Sequence, residues 1–347
     1  MQERKILTHI KKMVKSSVKK ILPKEFFRFR SFRHDQQYHS LVADRIFSPV
    51  TDVHKLAEDI PIHALPQAEL HLNNLFYGLS NLLQQFAGVP SYYNIKAAYT
   101  HIFYGKPWTG DTHAPFPLLL VWGEPMRKAF SEVTDKKVVA IGPPISYAVS
   151  IYDDEAVLKE KERLGKNALI FPAHSTHFIQ AVYPVDFLLA KARELRQHFD
   201  SVRFCLYWKD ILSGSACPFL ESEYECVTAG HMFDPMFYPR LKGILSVADQ
   251  TFSNIFGTQA GFSVGLNVPH TIFAQDICHE GDLYYKKIDP FCEKIIQISE
   301  CFYKDTGVIT FQQRRIIDEY YGFSQVKTPS QLRGLFESAE NLYSAQQ

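Results

Sequence analysis

The stretch Ala248-Asp249-Gln250-Thr251-Phe252-Ser253-Asn254-Ile255-Phe256-Gly257-Thr258-Gln259-Ala260-Gly261-Phe262-Ser263-Val264-Gly265-Leu266-Asn267-Val268-Pro269-His270-Thr271-Ile272-Phe273 reads as strand, tight turn, short helix, turn and strand. The turn holds Ser253, Asn254, Gly257 and Thr258 and opens into the helix, with Gln259 in its first turn. Backbone N–H groups at a helix N-terminus, with hydroxyls and small residues beside them, form a site for a phosphate. Gly257 can take a positive φ and lets the backbone approach a ligand closely. Gly261 and Gly265 leave one side of the helix thin, which suits close packing or close ligand approach. An ordinary strand-to-helix turn uses the same residue types, so the stretch needs a second signal before it implies a function.

That signal lies upstream. Asn167-Ala168-Leu169-Ile170-Phe171-Pro172 is a short apolar strand running into the polar loop Ala173-His174-Ser175-Thr176-His177. A helix follows, with Pro184 near its start and Phe187, Leu188, Ala190, Ala192, Leu195 and Phe199 as its buried stripe. The next strand is Val202-Arg203-Phe204-Cys205-Leu206-Tyr207-Trp208. This is a βαβ unit with its polar loop at the carboxyl end of the first strand, where open α/β sheets bind ligands. Loops 172–178 and 253–259 are therefore expected to face one crevice and to suit a phosphate or diphosphate.

The pairing of Phe171-Pro172-Ala173-His174-Ser175 with Ser253-Asn254-Ile255-Phe256-Gly257-Thr258 resembles the C-terminal half of GT-B glycosyltransferases, above all those that build bacterial capsule and lipopolysaccharide. The order here is Pro-Ala-His where those families have a His-Pro type motif, and Ser253 and Thr258 stand apart where an adjacent pair is usual, so the nucleotide stays open. The resemblance spans roughly residues 140–285. It implies two Rossmann-like domains facing across a cleft, an α/β fold with the donor nucleotide on the second domain. It also places the loop Thr228–Pro235 near the nucleotide base, making His231 and Met232 candidate contacts. Finally, it implies a C-terminal helical region that crosses back to the first domain.

A chain of 347 residues is long enough for two domains, and 46% hydrophobic residues with 27 Phe argue for a substantial core. No run of eighteen apolar residues occurs, so no transmembrane helix is expected. The six cysteines show no CxxC spacing and read as reduced, mostly buried thiols of a cytoplasmic protein. No metal site is expected.

The net charge of +1 conceals an asymmetry: residues 1–33 hold eleven Lys/Arg and two Glu, a net of +9, so the remainder carries −8. Ile6, Leu7, Ile10, Met13, Val14, Val18, Ile21 and Leu22 recur at helical spacing, with lysines mainly elsewhere around that helix. This predicts a basic amphipathic helix lying on an anionic membrane surface, with Phe26, Phe27, Phe29 and Phe32 wedged beside Arg28, Arg30 and Arg33. The expected location is the inner face of the cell membrane. No continuous apolar core supports a secretory signal, and an acidic remainder argues against nucleic acid.

Along the chain, 66–88 looks helical, residues 98–104 lead into a polar loop, and strands are expected around 117–122, 137–141 and 225–227. The charged segment Asp153–Glu162 marks a boundary. The expected division is 1–33 membrane helix, 34–155 acceptor-side domain, 156–320 nucleotide-sugar domain and 321–347 helical segment.

For chemistry, the loop Gly105–Pro115 supplies Asp111 or His113 as the base that takes the acceptor hydroxyl's proton, with Glu124 a weaker candidate. His174 is the leading residue, donating to a phosphate oxygen as charge develops on the leaving group. Ser175, Thr176, Ser253, Asn254, Gly257, Thr258 and Gln259 complete the donor site, with His177 beside it. Asp276, His279 and Glu280 follow the last strand, where the donor sugar would sit. No Walker, HExxH, GxSxG, kinase or DxD signature is present, which favours metal-independent transfer with helix dipole and side-chain donors at the leaving phosphate. The expected function is transfer of a sugar from a nucleotide-sugar to a surface-polysaccharide or lipid-linked acceptor, with no further cofactor. Alcohol-phosphate transfer of the teichoic-acid type, sugar-nucleotide epimerisation and a non-catalytic membrane scaffold are the alternatives.

Overall fold

A computed structural model describes residues 37–65, 69–90, 94–102, 107, 109–176, 179–281 and 295–346. The expected basic helix over 1–33 and the His177 position lie outside them. Among the described residues, no helix is long and apolar enough to cross a membrane.

The expected α/β architecture is present as two parallel sheets. The first has β1 (Ala97–Tyr99), β2 (Leu118–Val121) and β3 (Lys137–Ala140) in that order. The second contains β4 (Asn167–Phe171), β6 (Ser201–Cys205), β7 (Glu225–Val227), β8 (Gln250–Ser253) and β9 (His270–Ile272), in the spatial order β7-β6-β4-β8-β9. Counted along the chain that order is 3-2-1-4-5, the doubly wound arrangement. Strands β2, β4 and β8 are buried along their whole length, as expected of parallel strands covered on both faces.

A two-stranded antiparallel arm is added where the sequence read only a loop. β5 (Ile179–Val182) pairs with β10 (Cys278–Gly281), His279 opposite Ala181. The helix after it runs Val185–Leu195 with Pro184 as its N-cap, and buries Leu188, Ala192 and Leu195. The expected helix over 66–88 is a pair of short 3-10 turns followed by a helix at Leu79–Ala87. The cysteines also differ from expectation: Cys205 is buried, Cys226 and Cys301 are half-buried, and Cys217 and Cys278 are exposed, all as free thiols.

Chain order and packing do not coincide. Tyr38, Val42, Val53 and Ile60 share a core with Ile170, Phe204 and Phe252 of the second sheet. At the other end, Leu332, Phe336 and Ala339 join the core around β2. Helix Pro329–Ala345 reaches the first sheet's side, where Arg333 Nε donates to the Ala87 carbonyl at 2.9 Å and Tyr343 meets Phe116. Capping boxes at Thr310/Gln313 and Thr328/Gln331 start the last two long helices.

The sheets are joined through helix Thr258–Gly265. Trp122, just beyond β2, stacks on Phe262 with ring centroids 5.7 Å apart and planes 16° apart. The thin side of this helix serves packing. A Cβ at Gly261 would lie 2.0 Å from the Tyr321 ring, and one at Gly265 would lie 1.9 Å from the Phe323 ring. Gly261→Ala is therefore expected to destabilise the protein by about 1–3 kcal/mol through overpacking. Gly334→Ala, inside helix Pro329–Ala345 with nothing within 4 Å of its added methyl, should instead stabilise it by about 0.5–1 kcal/mol. Urea midpoints of the two variants check both signs.

Candidate active site

Strands β4 and β8 are neighbours in the second sheet, and the chain winds away from them in opposite directions. Their carboxyl ends therefore flank the topological switch point, where such sheets bind ligands. Asn254, directly after β8, bridges the two loops. Its Oδ1 accepts from the Ala173 amide at 2.6 Å and its Nδ2 donates to Gln275 Oε1 at 2.8 Å, while Gln275 Nε2 donates to the Pro184 carbonyl at 2.8 Å.

The helix Thr258–Gly265 starts beside this bridge without a side-chain cap. Among the described residues the amides of Thr258 and Gln259 have no acceptor, so the first turn is open to an anion. Gly257 is extended, with φ of −167°. A Cβ there would lie 2.5 Å from Gln259 Oε1, so the Gln259 side chain would have to give way. Gln259 Nε2 in turn donates to the Ile255 carbonyl at 2.8 Å, and Tyr321 Oη donates to the Gly257 carbonyl at 2.9 Å.

His174 lies exposed at the end of β4, its ring 4.2 Å from the Tyr207 ring. Its Nδ1 is 3.2 Å from the Ser175 carbonyl, which favours the tautomer with the proton on Nδ1 and a lone pair on Nε2. The surrounding protein lowers its pKa by desolvation, opposed by the Ser175 carbonyl and the Asp210 carboxylate. Asp210, in helix Trp208–Ser213, anchors the loop by accepting from the Ser175 amide at 3.2 Å on both oxygens, and burial raises its pKa. A cavity of about 150 Å³ opens beside it, lined by Ala173, Tyr183, Leu206, Tyr207 and Phe219 among others. The Ser175 and Thr176 hydroxyls are used in the turn into β5, accepting from the amides of Ala181 and Ile179 at 3.2 and 3.3 Å.

Two donor-site candidates are inside the protein. Ser253 is fully buried. Its hydroxyl donates to the Ile255 carbonyl at 2.8 Å and lies 3.0 Å from His270 Nε2. Thr251 Oγ1, which donates to the Pro269 carbonyl at 3.1 Å, lies 2.8 Å from the other ring nitrogen. His231 is 1% exposed, packed 3.9 Å from the Trp208 ring, with Nδ1 accepting from the Phe233 amide and Nε2 3.3 Å from Asp59. Met232 is buried with it.

On the side of the first sheet, Asp111 is buried in the short helix Thr109–Thr112. It accepts from Asn73 Nδ2 at 2.8 Å and lies 3.3 Å from His71 Nε2. His113 is exposed, with Nδ1 3.3 Å from Thr112 Oγ1. Glu124 is engaged with Arg127 at the surface. His101, two residues beyond β1, had no role in the sequence reading, yet it lies where Asp111 and His174 both act on it. Desolvation lowers its pKa to about 4, with Asp111 opposing and His174 reinforcing the shift. His279 on β10 is half-buried and also feels His174, whereas Asp276 and Glu280 are exposed. His174, His101 and Asp111 thus share one neighbourhood between the sheets. His101 and Asp210 were legible in principle, because each lies within a few residues of the carboxyl end of a parallel strand.

No family model matches the sequence, and no curated protein matches it. Among solved structures it is similar to the wall teichoic acid polymerase TagF, at 11% identity and a TM-score of 0.37 over 68% of this chain and 60% of that one. A protein assigned as a UDP-N-acetylglucosamine 2-epimerase from Listeria monocytogenes aligns at 12% identity and a TM-score of 0.36, covering 74% and 75% of the two chains. Arabidopsis thaliana UGT89C1 aligns at 11% identity and a TM-score of 0.33, covering 92% and 75%. The chain spans 60% of the length of the TagF chain.

The buried His270 generates a pH test. Its pKa is pushed down to about 3 by burial, against about 6.5 unfolded. Between those values the unfolded chain binds a proton that the native protein refuses. Stability contributed by this residue is therefore complete above about pH 6.5 and lost as the pH falls, by up to about 1.4 kcal/mol per pH unit. Urea unfolding of His270→Gln across pH 4–7 should show a slope shallower than wild type; identical slopes would assign the acid sensitivity elsewhere.

Proposed function

We propose that this protein is a glycosyltransferase of the GT-B kind, moving a sugar from a nucleotide-sugar to a glycan or lipid-linked acceptor without a divalent cation. The observation that carries the reading is the convergence of His174 and the open N-terminus of helix Thr258–Gly265 at the switch point of a 3-2-1-4-5 sheet, with His101 and Asp111 opposite. The donor's diphosphate would lie against the Thr258 and Gln259 amides, with the Thr258 hydroxyl beside them. The helix dipole and His174 would stabilise the charge that develops on the leaving phosphate.

The base has a stronger candidate than the sequence offered. A lowered pKa leaves the His101 imidazole neutral at pH 7 and able to take the acceptor hydroxyl's proton. Asp111, held by Asn73, would then stabilise the imidazolium as a fixed negative charge. His113 remains a candidate on the exposed side of the same loop. In this reading the acceptor side comprises 34–155 and the donor side 156–320, with 1–33 bringing the enzyme to an anionic membrane surface on the cytoplasmic side.

The test is a thermal-shift panel of CMP, CDP, UMP, UDP, GDP, ADP and TDP on wild type, His174→Ala and His101→Ala. A nucleotide at about 100 times its dissociation constant stabilises by about 2.7 kcal/mol. One nucleotide is expected to shift wild type and His101→Ala but not His174→Ala. With the matching sugar donor, His101→Ala should lose about 10²–10⁴-fold in turnover as a missing general base. A panel in which no nucleotide shifts the wild type would favour the non-catalytic scaffold.

A further inference from the structure

Tyr77 has a backbone conformation that its side chain disfavours. Its φ of 58° and ψ of 25° lie in the left-handed region, where an aromatic residue is a genuine outlier. Such residues persist only where the surroundings over-determine them, and they gather at functional sites. Here the surroundings do so. The Tyr77 amide donates to the Met232 carbonyl, and the next residue, Gly78, has φ of 66° and lies so close to Pro235 that a Cβ would be 2.2 Å from its Cα. The Tyr77 ring packs 4.4 Å from Phe237 and 5.7 Å from Tyr238.

The clamped ring reaches both sides of the cleft. Its centroid is 6.4 Å from His101, and its hydroxyl is 3.1 Å from the Tyr207 hydroxyl. Tyr207 is the residue against which His174 rests, at 4.2 Å. The two imidazoles assigned to the reaction therefore sit at opposite ends of a hydrogen-bonded tyrosine pair. We propose that Tyr77 is a positioning residue: its strained backbone aims its hydroxyl at Tyr207, and Tyr207 sets the orientation of His174 toward the donor site. The hydroxyl of a tyrosine is the only atom that Phe lacks, so the link can be cut without removing either ring.

The importance of His174 rests on the glycosyltransferase reading, but the link itself can be read without any ligand. In full-length protein, the His174 Cε1–H resonance is assigned by its loss in His174→Ala and followed in Tyr77→Phe, Tyr207→Phe and the double variant. The resonance should move in each single variant, and the double variant should move it no further. UDP, or whichever nucleotide shifts the wild type, should bind about two- to ten-fold more weakly to each, the value of one hydrogen bond. An unmoved resonance in Tyr77→Phe, or shifts that add in the double variant, would overturn the proposal even if melting temperatures fall. Should Tyr77→Phe fail to fold, Tyr207→Phe cuts the same hydrogen bond from the other side, and an unmoved resonance there overturns the proposal. Absence of nucleotide binding by wild type counts against the functional reading alone, since the resonance test needs no ligand.

Discussion

The contact on which this structure turns is the stack of Trp122 on Phe262, with Tyr321 meeting Trp122 edge-on at 5.6 Å. It makes one core from two sheets, since residues of β2, β4 and helix Thr258–Gly265 belong to a single buried cluster. Aromatic pairs of this kind add directional preference to their burial, and Trp122 is fixed further by donating Nε1–H to the Thr100 carbonyl at 3.1 Å. The helix is thereby wedged between the C-terminal helix Phe311–Tyr321 and the first sheet. The Tyr321 hydroxyl holds the Gly257 carbonyl at the helix start. The direction of the helix, and so the place where its open amides point, follows from packing on the side away from any ligand.

A second constraint explains why the loop after β7 is closed to a nucleotide base. Arg240 and Asp234 form a buried pair at 2.8 Å, each 1% exposed, and Arg240 also donates to the Arg45 and Ala229 carbonyls. The chain's own early residues add backbone bonds, from Thr228 to Val50 and from His231 to Leu56. A buried charge pair is tolerated only when its remaining hydrogen-bonding capacity is met. Residues 37–65 supply part of it here, through the Arg45 carbonyl, and occupy the space that the sequence reading left for a ligand.

The sequence made the buried parallel strands legible because β2, β4 and β8 are covered on both faces and read as short apolar runs. The two crevice loops followed from them. β5 escaped because Ile179-Gln180-Ala181-Val182 is a brief half-buried strand, and its partner lies nearly a hundred residues later, beyond any local pattern. Side-chain direction escaped for a related reason. Ser253 and Asn254 are neighbours in chemistry and sequence, yet the first ends a strand and turns inward to His270 while the second crosses to the next loop. His101 stands at a strand end but in no motif, and its significance comes from Asp111 and His174, which the fold brings within its electrostatic reach.

The electrostatics of the cleft follow from the weakly polar protein around it, although the His101 and His174 side chains are themselves exposed. His101, His174 and His279 all have their pKa lowered, in each case chiefly by desolvation. Three permanently charged groups in that space would repel one another and would each bear a desolvation cost. Imidazoles that are neutral at pH 7 avoid both, and the helix N-terminus supplies a partial positive charge that needs no counter-ion. A dianionic phosphate entering such a cleft would favour the charged form of every imidazole it reaches, raising pKa values that desolvation had lowered. Positive charge would then develop with the anion in place and not before it.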